Sequence, residues 1–379
     1  MEGSMIVRYV FGLMSLLLVA LLSGCGGLHV VPDNNYSVTD DPNTIRVAFD
    51  QDGDIYPQSP PDQMPNPPKF NINWAFTLAD SYERRTGQPY TRQIRDQIYD
   101  EVTKQVIAAT QRLGTNRVVF LVHGYNNSYR EASGHIDDLK IMVRESMGEE
   151  EAVFVEVYWD GLYKGRYTWP PGMMYWFDGM TYSNIVGQRG VRRLLNQLPA
   201  GLDVVFITHS RGAGVAFSAF ADPDYDDDIE VPCYERLRKD HFASVTIIPI
   251  APAIGDGHPL EALKAALPAD SRVVVGFNEN DWVLGKEFLF LRKNPENFGS
   301  TQLGTDDEYF REQESLLNAD GRVWLQRVVY QCFPKHRWDE YIEHEATACL
   351  LWRGGLVSDE PSEYCLKDHL KDVVECDRE

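Results

Sequence analysis

The chain predicts an α/β fold with a mostly parallel central sheet and helices on both faces, and two features of the sequence carry that prediction. Short, nearly all-apolar runs (RVVFLV, AVFVEVYW, DVVFIT, SVTIIPI, RVVVGF and RVWLQRVVY) alternate with segments of helical period. Strands that are apolar at every position are buried on both faces, which is the situation of a parallel sheet covered by helices. In addition, DVVFIT runs without a break into His209-Ser210-Arg211-Gly212-Ala213-Gly214, so a serine stands at an abrupt turn between a buried strand and a helix.

Composition permits such a core and narrows the function. The chain has 379 residues, 43% of them apolar and 12% aromatic, enough for one large domain or two ordinary ones. Its 57 acidic and 36 basic side chains leave a formal net charge of −21. That charge repels phosphate backbones and disfavours nucleic-acid binding. There is no repeat of fixed period and no heptad run, so solenoids and coiled coils are excluded.

The elements follow in order. Tyr9 to Leu22 is a run of apolar or small residues, YVFGLMSLLLVALL, preceded by Arg8 and followed by Ser23, Gly24 and Cys25. It is shorter than the roughly 20 residues that cross a bilayer and has the layout of a signal peptide. Leu22-Ser23-Gly24-Cys25 resembles a bacterial lipobox, which implies cleavage after residue 24, lipidation of Cys25, and an anchor in the cell envelope, at the outer membrane facing the periplasm. Residues 25–70, rich in Pro and Asp, read as a tether with one hairpin around TIRVAFD, and Asp50, Asp52 and Asp54 as an ordinary turn. Residues 71–355 read as the main α/β domain. Ile94, Ile98, Val102, Val106, Ile107 and Leu113 recur at helical spacing, with Gly114 as the stop. Further helices are expected around 131–147, near 184–198, from 211 and from about 337.

Residues 356–379 form a cysteine-containing tail. With Cys25 lipidated, Cys233, Cys332, Cys349, Cys365 and Cys376 remain, and one or two disulfides are expected to staple this tail. No Cys/His spacing suggests zinc, and neither a metal nor a cofactor is expected.

Ligands of parallel sheets gather at the carboxyl ends of the strands. There the sequence supplies the parts of a nucleophilic serine site. Ser210 lies at the strand-to-helix turn, where Gly212 and Gly214 leave room for close packing. Thr208 stands where such elbows usually have their first glycine, and His209 follows it. RVVVGF leads to Asp281, the acid expected to orient a histidine, with Asp256 in APAIGDGH as the alternative. The histidine belongs after the last strand, at His336, with His344 and His369 as alternatives. After RVVFLV come His123, Gly124, Tyr125, Asn126 and Asn127; the backbone N–H groups of Tyr125 and Arg211 are the expected oxyanion donors.

LVHGYNNS together with THSRGAG resembles the α/β-hydrolase superfamily, in particular a bacterial branch carrying VHGYNN that is related to serine esterases and lipases. The resemblance covers roughly residues 115–350 and implies a Ser-His-Asp triad and an acyl-enzyme intermediate, with the His-Gly turn placed after the third strand. It also implies a small-molecule or lipid ester as substrate. An aromatic stretch at about 160–183 reads as a lid-like insertion over an acyl pocket, with Tyr158, Trp159, Tyr167, Trp169, Tyr175 and Trp176 as pocket residues. Acyl transfer and thioester or amide hydrolysis would use the same triad, and a catalytically inactive envelope binding protein is the reading from another class.

Overall fold

The computed structural model describes residues 37–58, 78–79, 82–83, 87–125, 127, 129–148, 151–161, 179–224, 236–285, 302–357 and 365. Seven strands make one sheet: β1 (Thr44–Phe49), β2 (Arg117–Val122), β3 (Val153–Trp159), β4 (Asp203–His209), β5 (Ser244–Ile250), β6 (Arg272–Phe277) and β7 (Leu325–Val329). Their order across the sheet is β1-β3-β2-β4-β5-β6-β7, and every pairing is parallel. The serine strand β4 is therefore central, and every strand delivers its carboxyl end to the same edge of the fold.

The helices are α1 (Arg92–Leu113), α2 (Tyr129–Met147), α3 (179–197), α4 (Gly212–Phe220), α5 (Leu260–Ala266), α6 (Gln302–Thr305), α7 (Asp307–Leu317), α8 (Trp338–Ile342) and α9 (Glu345–Arg353). Helices α1, α3, α4, α5 and α7 touch in succession, while α2 packs on β3 and α8, and α9 packs on β6 and β7. Helix α1 shows how local sequence sets an element. Thr91 Oγ1 accepts from the Ile94 amide at its start, Gly114 ends it at φ 67°, and Ile98, Tyr99, Val102, Val106 and Ala109 form its buried face. Helix α3 contains a π turn at Val186–Val191. Its Gly187 lies against α4 so closely that a Cβ there would stand 2.4 Å from the Val215 carbonyl oxygen.

Two expectations change. TIRVAF is not part of a tether: β1 pairs with β3 along its length, because every one of its residues except Arg46 is buried and a lone hairpin cannot bury them. The sheet domain therefore begins by Thr44 rather than at residue 71. The Asp50–Asp54 segment is the expected turn: Asp50 Oδ1 accepts from the amides of Asp52 and Asp54, and Gly53 adopts φ 75°. The helix expected from about 337 divides into α8 and α9 at His344.

Cys349 in α9 is disulfide-bonded to Cys365. Cys332 is disulfide-bonded as well. No helix among the described residues is long and apolar enough to cross a membrane. The signal peptide, Cys25, Tyr167, Trp169, Tyr175, Trp176, Asn126 and His369 lie outside the described residues.

Candidate active site

Four strand ends build the site. β4 runs into Ser210, which has a positive φ of 50°. That conformation is costly for a residue with a side chain and persists only when its surroundings over-determine it. Here the Ser210 amide donates to Ile250 O at 2.9 Å, and its carbonyl accepts from the amides of Ala253 (3.1 Å) and Ala213 (3.2 Å). Both elbow glycines are required by space. A Cβ on Gly212 would stand 2.5 Å from the His123 carbonyl oxygen, and one on Gly214 would stand 2.7 Å from Ser183 Oγ. Thr208 is wholly buried in β4, and its hydroxyl has no hydrogen-bond partner.

The structure brings Ser210, His336 and Asp281 into one hydrogen-bonded chain. His336, in the loop after β7, places Nε2 3.1 Å from Ser210 Oγ and Nδ1 2.7 Å from Asp281 Oδ2. A carboxylate only accepts, so Nδ1 carries the proton and Nε2 is left to accept from the serine hydroxyl. Asp281, in the turn after β6, is 1% exposed and its Oδ1 accepts from the amides of Val283 (2.9 Å) and Leu284 (3.1 Å). These two amides hold the carboxylate with Oδ2 toward His336. The alternatives lie elsewhere. Asp256 is exposed, and its carboxylate caps the Gly257 amide. His344 is the N-cap of α9, where Nδ1 accepts from the Ala346 amide at 3.1 Å.

Gly124, after β2, approaches the elbow closely, since a Cβ there would stand 3.0 Å from Ser210 Cβ. The His-Gly turn thus follows the second strand of the chain rather than the third. His123 holds this turn in place: Nε2 accepts from the Trp159 amide (3.1 Å), Nδ1 donates to Gly124 O (2.7 Å), and its own carbonyl accepts from Trp159 Nε1 (2.9 Å). Burial lowers its pKa to about 4. The ring of Tyr125 packs against Gly179, at the start of α3, and Asn127 is half-buried.

Tyr158 and Trp159, expected as acyl-pocket residues, are buried in the sheet core instead. They end β3, at 0% and 1% exposure, with the Tyr158 hydroxyl donating to Glu156 and the Trp159 ring stacked on His123. Their apolar surface is used by the sheet core, which alternation in AVFVEVYW did not separate from a following aromatic run.

Three side chains hold the site in ways the sequence did not signal: the guanidinium of Arg211, expected only as a backbone donor, and the side chains of Tyr341 and Asn278. Arg211 is 2% exposed and its guanidinium donates to Ser183 Oγ, Asn184 Oδ1 and the carbonyls of Met180 and Ala253, fixing the residue after Ser210 to α3 and to the end of β5. Tyr341 of α8 donates its hydroxyl to Asp281 Oδ2 at 2.8 Å, and burial beside that carboxylate raises its pKa well above the ordinary value. Asn278 at the end of β6 donates Nδ2 to Phe333 O at 2.8 Å, tying down the loop that carries His336. Among the described residues no group of three or more His, Cys, Asp or Glu is arranged to hold a metal ion.

The arrangement is an α/β fold carrying a strained serine, an imidazole and a buried carboxyl group in hydrogen-bonded order. No family model matches the chain. Nor does any curated protein. Among solved structures it is similar to a thermophilic esterase of the Planctomycetes species Thermogutta terrifontis with propionate bound, at 12% identity and a TM-score of 0.32 over 65% of this chain and 86% of that one.

Proposed function

We propose that the protein is a serine hydrolase of carboxylic esters, with Ser210 as nucleophile, His336 as general base and acid, and Asp281 as the group that orients it. The observation that carries this reading is the unbroken order Ser210 Oγ to His336 Nε2 (3.1 Å) and His336 Nδ1 to Asp281 Oδ2 (2.7 Å) at a strand-to-helix turn. Ser210 Oγ attacks the acyl carbon while its proton passes to His336 Nε2. The imidazolium so formed is stabilised by Asp281. The carbonyl oxygen becomes negative and meets the backbone N–H groups of Tyr125 and Arg211, donors of a kind worth about 100- to 1,000-fold in rate. Collapse of the tetrahedral intermediate breaks the ester C–O bond, and His336 returns the proton to the departing alcohol. Water, deprotonated by His336, then attacks the acyl-enzyme and releases the acid.

The same reading places the enzyme at a membrane through a lipidated Cys25, in the bacterial envelope. Its supporting feature is the Leu22-Ser23-Gly24-Cys25 string after a short apolar run. Acyl chains contribute about 0.8 kcal/mol per buried methylene, so several hold even an acidic protein at a bilayer. A membrane address and the aromatic-rich sequence at about 160–183 favour esters with an apolar acyl chain.

The test is labelling of the full-length protein in detergent with a fluorophosphonate, with the adduct located by mass spectrometry. An adduct on Ser210, lost in Ser210→Ala and much slowed in Asp281→Asn and His336→Ala, is the expected result. A folded protein that takes no label in detergent micelles would leave the fold as a binding protein. For the anchor, Cys25→Ser is expected to release the protein from membranes, and its retention there would point to an uncleaved apolar segment.

A further inference from the structure

The residue immediately before the serine is in contact with the backbone of the residue that activates it. His209 ends β4, and its Nε2 lies 2.9 Å from the carbonyl oxygen of His336, 127 residues away in the chain. Its ring stacks on Trp338 with centroids 5.6 Å apart and planes at 10°, and it faces the His336 ring at 5.0 Å. A carbonyl only accepts, so Nε2 carries the proton. Nδ1 is then the bare nitrogen, and it is buried with no hydrogen-bond partner. It faces Gly124 so closely that a Cβ on that glycine would stand 2.9 Å away.

The position matters because His336 sits in irregular chain. Between the end of β7 and the start of α8 half of the residues are exposed, and no helix or strand sets where the His336 Cα stands. Its imidazole nevertheless has to reach two partners at once, Ser210 on one side and Asp281 on the other. Holding the carbonyl of His336 fixes its backbone one bond from the Cα, from a residue whose own neighbour is the nucleophile. A shift of the elbow therefore carries the base with it.

We propose that His209 is a positioning residue for the proposed reaction: its Nε2–H holds the main chain of His336 so that the imidazole stays within reach of Ser210. This rests on the serine-hydrolase reading above. A charged His209 is incompatible with the role, because it would put a second cation beside the imidazolium of His336 and an unpaired N–H against Gly124. Burial and the neighbouring histidines accordingly hold its pKa well below the ordinary histidine value.

The deciding contrast is between two neutral amides of similar bulk. In His209→Gln the side-chain N–H reaches the place of Nε2, whereas in His209→Asn it stops at the place of Nδ1. His209→Phe keeps the ring on Trp338 and loses both nitrogens. For each full-length variant we would measure the fluorophosphonate labelling rate, kcat and KM on a p-nitrophenyl ester, and the thermal unfolding midpoint. His209→Gln should stay within a few-fold of the natural protein, while His209→Asn and His209→Phe should lose about 100-fold in labelling rate and kcat, the order of loss expected for a misplacement near 1 Å. KM should hold in all of them. If the asparagine and phenylalanine variants label as fast as the natural protein, or if glutamine falls as far as asparagine, the proposal is overturned. Should the phenylalanine variant fail to fold, the glutamine and asparagine pair decides alone. Absence of label on Ser210 in the natural protein would instead sink the hydrolase reading, and the proposal with it.

Discussion

Tyr341 donates its hydroxyl to Asp281 Oδ2, the same oxygen that accepts from His336 Nδ1. The acid is thereby gripped by the helix that follows its own histidine. Tyr341→Phe removes one hydrogen bond to a carboxylate without removing the ring. Bonds to charged groups contribute about 1.5–3 kcal/mol, and loss of even the smaller value in the transition state is about tenfold in rate. We expect kcat to fall by about that factor with KM unchanged, and an unaltered kcat would deny the hydroxyl any part in orienting Asp281.

Gly212 has no room for a side chain, since the nearest atoms to an added Cβ are the backbone oxygens of His123 (2.5 Å) and Val122 (2.8 Å). Gly212→Ala should cost about 1–3 kcal/mol through overpacking and should abolish labelling of Ser210. Gly134 in α2 is the control, because nothing lies within 4 Å of its added Cβ. Gly134→Ala should stabilise by roughly 0.5–1 kcal/mol and leave labelling intact. Chemical denaturation of both variants checks the pair, and equal effects would contradict the assigned role of the elbow spacing.

Thr208 is the feature of the elbow that departs most from a small-residue pattern, and its buried hydroxyl is unpaired. An unsatisfied buried polar group costs about 1–3 kcal/mol. Thr208→Val replaces the hydroxyl with a methyl of similar size. It should raise the unfolding midpoint and preserve activity; a lowered midpoint would mean that the hydroxyl is used.

Three buried histidines link stability to pH. Burial lowers the pKa of His123 to about 4 and those of His209 and His258 well below the ordinary value. The unfolded chain protonates them near 6.5, so below that pH the unfolded state binds more protons than the native one and stability falls as pH falls. For His123 the loss grows from about pH 6.5 down to about 4, and at pH 5 it is about 2 kcal/mol. Urea unfolding at pH 7.5 and pH 5.0 should give a clearly lower midpoint at pH 5.0, and matching midpoints would refute this account.

The sheet was legible in the sequence because a buried parallel strand is mostly apolar, and all the runs marked as strands are strands of the sheet. β1 was misplaced because TIRVAF lies in a Pro- and Asp-rich stretch, and it carries one charged residue, Arg46. In the fold its guanidinium pairs with the fully buried Glu156 of β3, at 2.6 Å, and that partner is 110 residues away. The order Ser210, Asp281, His336 was readable from strand ends alone. What holds those side chains was not. Tyr341, Asn278 and the guanidinium of Arg211 act through contacts between distant segments, and no local pattern distinguishes them from other polar residues. Tyr158 and Trp159 failed in the opposite direction, because an aromatic pair at a strand end looks the same whether it faces a ligand or the core.

The all-parallel order also has a consequence for how the chain is made. β1 is synthesised first, yet its partner on the sheet is β3, and Thr44 aligns with Phe154. At about 5–20 residues per second, the apolar TIRVAF segment waits on the order of ten seconds before its partner exists. The antiparallel bridge from Phe49 to Ile55 covers only its end meanwhile, and an unpaired apolar strand is a template for wrong pairing. β1 is thus a place where nascent chains of this protein are exposed to aggregation, and where a holding chaperone would contribute to yield.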